Sequence, residues 1–500
     1  MSRFLQGVAM MSLVLVSVPQ PAWAAQASAS IPASVRTSIE NDINKEIAAG
    51  RLTGVSVALV SHGRIVWEQG FGWADQQAGR KVTAHTPFSI ASTTKPFTTT
   101  ALMTLVAAGK IKLDHPGNEY LGKAKIVDES GPANGVTVMQ MATHSAGLPS
   151  LFAMYLDGTD DHQPSVDQML EDYGHTVALP GEHYAYSNVG MGALAGIVAR
   201  QSGMEYGQYL QKAVLAPLGL HDTFFDTDVS RRSSMAVRYT DDGKPLPFYL
   251  TPTPGSGEVM SSAHDLARFA MFHLKDHLPD QEAILTDAQI DQLHAPHSDV
   301  APPGFFYGMG WQVHQTDGKT DVLYHGGGQT GVDAEFVLLP GADVACIVLN
   351  NRHADEDFIT GVRDRLIQAI APSWKGIPKP PVSAPMPLTA DYQGTWQGTV
   401  QAQGHRVNAT LVIDKQGKGT FAIEGQSPAP ITDLGIVDGW LSGDTTGRTG
   451  ASDAERAKLT KLSLGLKLRG DTIDGEIDAW DKTPASMTIL PFWAKLTRQP

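Results

Sequence analysis

Ser92 and Lys95 stand three residues apart in Phe88-Ser89-Ile90-Ala91-Ser92-Thr93-Thr94-Lys95-Pro96-Phe97. A helix pattern follows at once, with Leu102, Met103, Leu105 and Val106 as its apolar positions and Gly109 as its C-cap. Positions i and i+3 of a helix share a face, so Ser92 Oγ and Lys95 Nζ can meet at the helix start. A neutral lysine can take the proton from a serine hydroxyl, which is otherwise a weak nucleophile. The unpaired N–H groups of the first turn are expected to hold the lysine pKa down and to stabilise an oxyanion on the serine. Such a pair also arises by chance in a long chain, so its meaning depends on partners elsewhere.

Two further groupings supply them. Tyr186-Ser187-Asn188 directly precedes a second helix pattern, Val189 to Ala199, closed by Gly203. His325-Gly326-Gly327-Gly328 ends a strand pattern. Gly326 and Gly327 lack side chains, so another backbone can come close along that strand. A glycine-rich turn with a hydrogen-bonded histidine would carry the same residues. His144 and Ser145, in Thr143-His144-Ser145-Ala146-Gly147-Leu148-Pro149, read as a turn held by local hydrogen bonds. Asp160, Asp161 and His162 lie consecutively in a loop, and consecutive loop residues seldom all point inward. No metal or cofactor site is expected.

The elements that must position these residues follow from periodicity. Val35, Ile39, Ile43 and Ile47 mark an amphipathic helix ended by Gly50. Val55 to Val60 and Ile65 to Gln69 flank His62-Gly63 as a hairpin. The middle of the chain reads as mainly helical, with 150–179 polar and irregular, a candidate wall or lid over a cleft. Strands are expected at Phe306 to Gln315, Asp321 to Gly327, Ala334 to Leu339 and Val344 to Asn350, then a helix from about Asp355 to Ile370. The two ends should meet in one antiparallel sheet flanked by helices, with a helical subdomain inserted between them and a cleft where the two parts join. Residues 371–387 hold six prolines and form a stiff linker. Beyond it, short strands separated by glycine turns suggest a small all-β barrel over 388–500, with Leu462, Leu464, Leu466 and Leu468 alternating towards its interior. Trp396, Trp440, Trp480 and Trp493 are expected in its core.

Composition narrows the function classes. The chain has 500 residues, a net charge of −14, 42% hydrophobic and 18% charged residues. That is a packed protein of two or three domains, and its acidity argues against nucleic-acid binding. Arg3, the apolar run Gly7 to Val18 and Ala22-Trp23-Ala24 read as a signal peptide, residues 1–24, cleaved after Ala24. The run is too short for a stable membrane anchor, although an uncleaved amphiphilic segment is the alternative. Export to a periplasm or the medium is expected. The single cysteine, Cys346, lies in an apolar strand pattern as a buried small residue.

The order Ser92-Thr93-Thr94-Lys95, Tyr186-Ser187-Asn188, His325-Gly326-Gly327 resembles the serine β-lactamase and penicillin-binding-protein superfamily. The branch it is most similar to is that of class C β-lactamase-like serine hydrolases, which includes D-aminopeptidases, esterases and DD-peptidases. Residues 143–149, Leu215-Ala216-Pro217-Leu218-Gly219-Leu220 and Tyr307-Gly308-Met309-Gly310-Trp311 also resemble that branch. The resemblance covers about 35–370 and implies a β-lactamase/transpeptidase-like domain at 25–370. Residues 388–500 resemble the lipocalin-like barrels attached to some of these peptidases. Ser92 would then attack an acyl carbon. Lys95 and Tyr186 would handle its proton, the order of transfer between the two being open because they titrate as a pair. Asn188 would orient Lys95 and the substrate amide. The backbone N–H groups of Ser92 and Gly328 would form the oxyanion hole. The chain departs from the family at His325, where enzymes acting on penicillins and D-Ala-D-Ala termini usually carry lysine. A mostly neutral histidine supplies no fixed charge for a substrate carboxylate. This favours an ester, an amide or a peptide read from its amino end. The expected activity is a peptidase or amidase on D-amino-acid-containing or small peptides. The alternatives are an ester hydrolase, a weak β-lactamase or DD-peptidase, and a non-catalytic sensor of cell-wall fragments. The barrel could cap the cleft, limit substrate size or mediate oligomerisation.

Overall fold

Val57 lies opposite Val348, so strand Gly54–Ser61 near the start of the chain pairs with Val344–Asn350 far beyond it. The computed structural model describes residues 30–128, 135–160, 162–300, 303–379 and 384–500. The expected signal peptide lies outside the described residues, as does Asp161. The two strands sit in the middle of a nine-stranded antiparallel sheet. Ile65–Asp75 and Arg80–Lys81 extend one side; Val332–Leu339, Lys319–Gln329, Gln312–Thr316, Phe305–Tyr307 and Ser298–Asp299 extend the other.

Both faces of this sheet are covered, which explains the unbroken apolar runs of its central strands. Val55, Val57 and Leu59 pack with Ile39 and Ile43 of helix Ala33–Ala48 and with Ile359 and Leu366 of helix Glu356–Ile370. Cys346 is buried in the same layer, where burial pushes its thiol up. Ala58 and Val60 face the other core, with Phe97 of helix Thr94–Ala107 and Phe269 of helix Ala263–Leu274, whose rings stack at 3.9 Å. Helix Thr94–Ala107 is buried almost all round, from Thr94 through Met103. It is wedged between the sheet and the helical part, where helix Asn188–Ser202 packs on it.

Residues 150–179 are more ordered than their polarity suggests. Ser165 caps a helix over Val166–Tyr173 that buries Met169, Leu170 and Tyr173. The periodicity there was masked by Asp167, Glu171 and Asp172 on the opposite face.

After the proline-rich stretch, nine antiparallel strands curl into a nearly closed barrel, running spatially from Ala429–Pro430 through Gly394–Ala402 and Ser486–Arg498 to Thr432–Val437. Leu462, Leu464 and Leu466 point inward as the alternation requires, with Leu468 half-buried at the end of the row. Trp396 and Trp493 are buried. Trp440 and Trp480 are instead half-exposed and covered by the cations of Lys467 and Lys461. Strand Ser486–Arg498 escapes sequence reading because Pro491 argues against a central strand. Pro491 lies past the end of the pairing with Gly394–Ala402, which stops at Gln401 opposite Trp493, so only one neighbour remains there.

Candidate active site

Ser92 sits in a 3-10 turn, Ala91–Thr93, that runs straight into helix Thr94–Ala107. The turn is sharp. Ala91 adopts φ 45°, a left-handed conformation a small side chain tolerates best. Two side chains brace the turn. Thr93 Oγ1 donates to the carbonyl of His325 at 3.1 Å, and Thr94 Oγ1 accepts from Val259 N at 3.0 Å. The first bond ties the Ser92 turn to strand Lys319–Gln329. Past Tyr324 that strand is paired only with Val332–Leu339, and its other edge faces the turn. Gly327 makes the approach feasible: a Cβ there would lie 2.1 Å from the carbonyl oxygen of Ile90. At Gly328 a Cβ would meet nothing within 4 Å, so space lies open beside that residue.

Lys95 is fully buried, and its Nζ lies 3.0 Å from Ser92 Oγ and 3.0 Å from the carbonyl of Ser256. Burial lowers its pKa to about 7, against the opposing pull of the Glu258 carboxylate. Desolvation is thus the leading cause of the shift. Glu258 is itself buried, bonded to Thr251 Oγ1 and to Gly257 N, and burial pushes its carboxyl up. Neither Ser256 nor Glu258 was singled out by the sequence, because nothing local marks them as neighbours of Lys95.

Tyr186 completes the group from the other side. Its ring centroid lies 4.6 Å from Lys95 Nζ, and Ser92 is the polar side chain that acts on its hydroxyl. Burial raises the phenol pKa while the bond to Ser92 lowers it. Ser187, next along, points the other way and caps helix Asn188–Ser202 by accepting from Gly190 N at 2.8 Å. Asn188 does not hold Lys95 by a hydrogen bond as the resemblance implied. Its Nδ2 donates to Leu151 O at 3.2 Å, and its Oδ1 is buried without a partner. Ser256 takes the lysine's second bond instead.

His144 sits against the site rather than merely closing a turn. Its Nδ1 accepts from Ser187 N at 3.1 Å, and its ring packs 4.4 Å from Tyr186 and 4.5 Å from Tyr307. Burial holds its pKa well below the usual histidine range, with Lys95 adding to the effect. Ser145 bonds Thr143, in keeping with the local role read for it. His144→Ala should unseat the Tyr186 ring and release the Ser187 backbone. A displacement of about 1 Å is worth roughly 100-fold in rate. Loss of kcat by tens-fold with little change in KM is the expected result of steady-state kinetics. An unchanged kcat would remove His144 from the positioning of Tyr186.

His325 is buried and accepts from the Tyr307 hydroxyl at Nε2 (2.9 Å), while its Nδ1 donates to Gly326 O (2.7 Å). Burial, reinforced by Lys95, lowers its pKa to about 3. The ring is thus neutral across the physiological range, and Tyr307 is the partner that sequence spacing did not reveal.

Sheet, inserted helices and the convergence of Ser92, Lys95 and Tyr186 define a β-lactamase/transpeptidase fold followed by a small barrel. A model of the beta-lactamase family matches residues 39–369, and the chain belongs to that family. Protein flp of Staphylococcus aureus (strain NCTC 8325 / PS 47) is 26% identical over 333 residues, covering 64% of this chain and 63% of that protein. The chain thus spans less than two thirds of flp's length. Penicillin-binding protein 4* of Bacillus subtilis (strain 168) is 26% identical over 327 residues, 61% of this chain and 69% of that protein. Among solved structures, SurE in complex with D-Leu superposes with a TM-score of 0.63 at 20% identity, covering 92% of this chain and 100% of SurE. A class C β-lactamase superposes with a TM-score of 0.57 at 18% identity, covering 69% of this chain and 98% of that one. These structures share the fold. Membership places the chain in a superfamily of serine hydrolases.

Proposed function

We propose that this protein is a serine hydrolase that forms an acyl-enzyme at Ser92, acting as a peptidase or amidase on D-amino-acid-containing or small peptide substrates. The observation that carries the reading is the buried Lys95 amine 3.0 Å from Ser92 Oγ, with the Tyr186 ring 4.6 Å from the same amine. In the neutral lysine the serine O–H donates to Nζ. Ser92 Oγ then bonds to the acyl carbon as its proton passes to Lys95. The negative charge on the acyl oxygen is taken by the backbone N–H groups of Ser92 and Gly328. Tyr186 relays the proton to the leaving nitrogen, whose bond to the acyl carbon breaks, and water later reverses the sequence to release the acid. Asn188 Oδ1, buried and unpartnered, is the acceptor that would take a substrate amide N–H once the side chain turns towards the cleft.

The substrate class rests on His325. A neutral imidazole engaged with Tyr307 and Gly326 offers no cation to a carboxylate beside the scissile bond. That favours amides, esters and peptides approached from the amino end over D-Ala-D-Ala termini and β-lactams. The D-Leu held by SurE, a protein of the same fold, is in keeping with a D-amino-acid substrate. Export by the leader at 1–24 would place the protein where such peptides occur. Hydrolysis of a matched panel tests the reading: L- and D-aminoacyl amides, a short-chain ester, a D-Ala-D-Ala peptide and a cephalosporin. The D-amide is expected to rank first. Preference for the ester assigns an esterase, preference for the cephalosporin or D-Ala-D-Ala overturns the reading of His325, and no turnover points to a binding protein. Among the described residues no helix is long and apolar enough to cross a membrane.

The barrel bears on the two loops that frame this site. Phe152 and Ile489 exchange backbone hydrogen bonds of 3.0 and 2.7 Å, and Phe152 directly follows Leu151, the partner of Asn188. The Arg469 guanidinium forks onto both oxygens of Glu182, four residues before Tyr186, and His183 packs 4.6 Å from Trp440. These contacts support a barrel that walls the cleft and would limit substrate size. Arg469→Ala should loosen that wall and lower kcat/KM on a peptide by about tenfold, while a small ester loses far less. Equal losses on both substrates, measured side by side, would mean simple destabilisation.

A further inference from the structure

A group of metal-binding side chains lies outside the Ser92 site, at the start of helix Ala263–Leu274. Glu68, His85 and His264 each present one donor atom, and the three atoms lie within 4.8 Å of one another. Glu68 belongs to strand Ile65–Asp75, His85 to the turn before strand Phe88–Ser89, and His264 to the helix's first turn. We propose that these three side chains form a binding site for a zinc-class divalent cation, clamping the turn that leads to Ser92 onto the sheet and the helix.

The frame is rigid where it matters. His264 N donates to the carbonyl of Ala84 at 3.2 Å, so the helix start and the His85 turn are joined through backbone. His264 Nδ1 and Glu68 Oε2 stand 2.9 Å apart, and the two imidazole rings lie 4.3 Å apart. Ligands on one tetrahedral zinc are separated by about 3.3 Å, so a small inward shift of donor atoms that already lie within 4.8 Å closes the set. His85 Nδ1 bonds Asp222 Oδ2 at 2.8 Å, which leaves Nε2 for the ion and fixes the tautomer through a carboxylate–histidine pair. Ser262, the cap of the helix, donates to the same Asp222 carboxylate at 2.9 Å. A helix start disfavours a cation, and Glu68 and Asp222 offset that with negative charge. Two imidazoles and a carboxylate suit zinc and its neighbours better than magnesium or calcium, and solvent supplies the fourth position.

The test is titration of the chelator-treated full-length protein with Zn2+, and with Co2+ as a spectroscopic probe. The expected result is one equivalent bound, with visible Co2+ bands, and an upward shift of the thermal midpoint on adding zinc. His85→Ala and His264→Ala should each remove the bands and the shift. Asp222→Asn should keep the stoichiometry and weaken binding by roughly tenfold. Turnover of a small ester serves as the folding control, since none of these residues belongs to the Ser92 machinery; His264→Gln replaces the alanine variant if that one fails to fold. Equal zinc uptake by the wild type and the His85/His264 variants, or no uptake by any, overturns the proposal and leaves a hydrogen-bonded histidine–carboxylate cluster.

Discussion

Ser92→Ala is expected to abolish covalent labelling and to reduce turnover of every substrate by on the order of 10⁴-fold or more. The size of the loss follows from the site's construction. Ser92 Oγ is the atom on which Lys95 and Tyr186 converge, and with it gone neither has a nucleophile to activate. The fold should survive. Lys95 keeps its bond to Ser256 O, and the turn keeps its Thr93–His325 and Thr94–Val259 bonds. Intact-mass measurement after incubation with a serine-reactive phosphonate would show one adduct on the wild type and none on the variant. The same variant should still bind substrate, because the open edge of strand Lys319–Gln329 is untouched. Turnover that persists in Ser92→Ala at the wild-type rate would sink the assignment.

Activity should rise with pH through about 7 and then hold over the following units. The sign comes from Lys95: below its pKa the amine is protonated and cannot accept the serine proton, and above it the neutral amine can. Tyr186 cannot be the group that titrates there, because burial raises its pKa from an already high value. A limb near pH 7 carried by Lys95 would support the proposed order of proton transfer, with neutral Lys95 as first acceptor and Tyr186 as relay. Lys95→Arg replaces a titratable amine with a cation that stays charged, so it should lower kcat/KM by about 10²–10⁴-fold and erase the limb near pH 7. Glu258→Gln should move the limb to lower pH, since the carboxylate's charge is what opposes the burial effect on Lys95. Profiles of kcat/KM from pH 5 to 10 for the three proteins decide the matter. A limb that survives in Lys95→Arg would assign the ionisation to another group.

Much of this protein was legible in its residues. Ser92 and Lys95 share a face because three residues of helix bring any such pair together, whatever surrounds it. The Ile39–Ile43 stripe, the apolar runs at Val55–Val60 and Val344–Asn350, and the alternation of Leu462, Leu464 and Leu466 determined helices, a two-sided sheet and a barrel interior, because the period of burial is a local property. The motif order Ser92–Lys95, Tyr186–Asn188, His325–Gly327 pointed to the family that the match over 39–369 establishes.

Tertiary structure alone decided what those residues are in chemical terms. The Lys95 pKa falls because folding buries the amine beside Ser256 and Tyr186 and removes its water, against the opposing charge of Glu258. His325 is kept neutral by burial and takes the Tyr307 hydroxyl as its partner, His144 packs against Tyr186, and Asn188 gives its amide to Leu151 instead of to Lys95. The barrel's hold on Phe152 and Glu182 left no mark in either segment. The physical reason is common to all of these. Periodicity and spacing are set by neighbours along the chain, whereas desolvation, the choice among hydrogen-bond partners and the charge state that results are set by groups that only folding brings into contact.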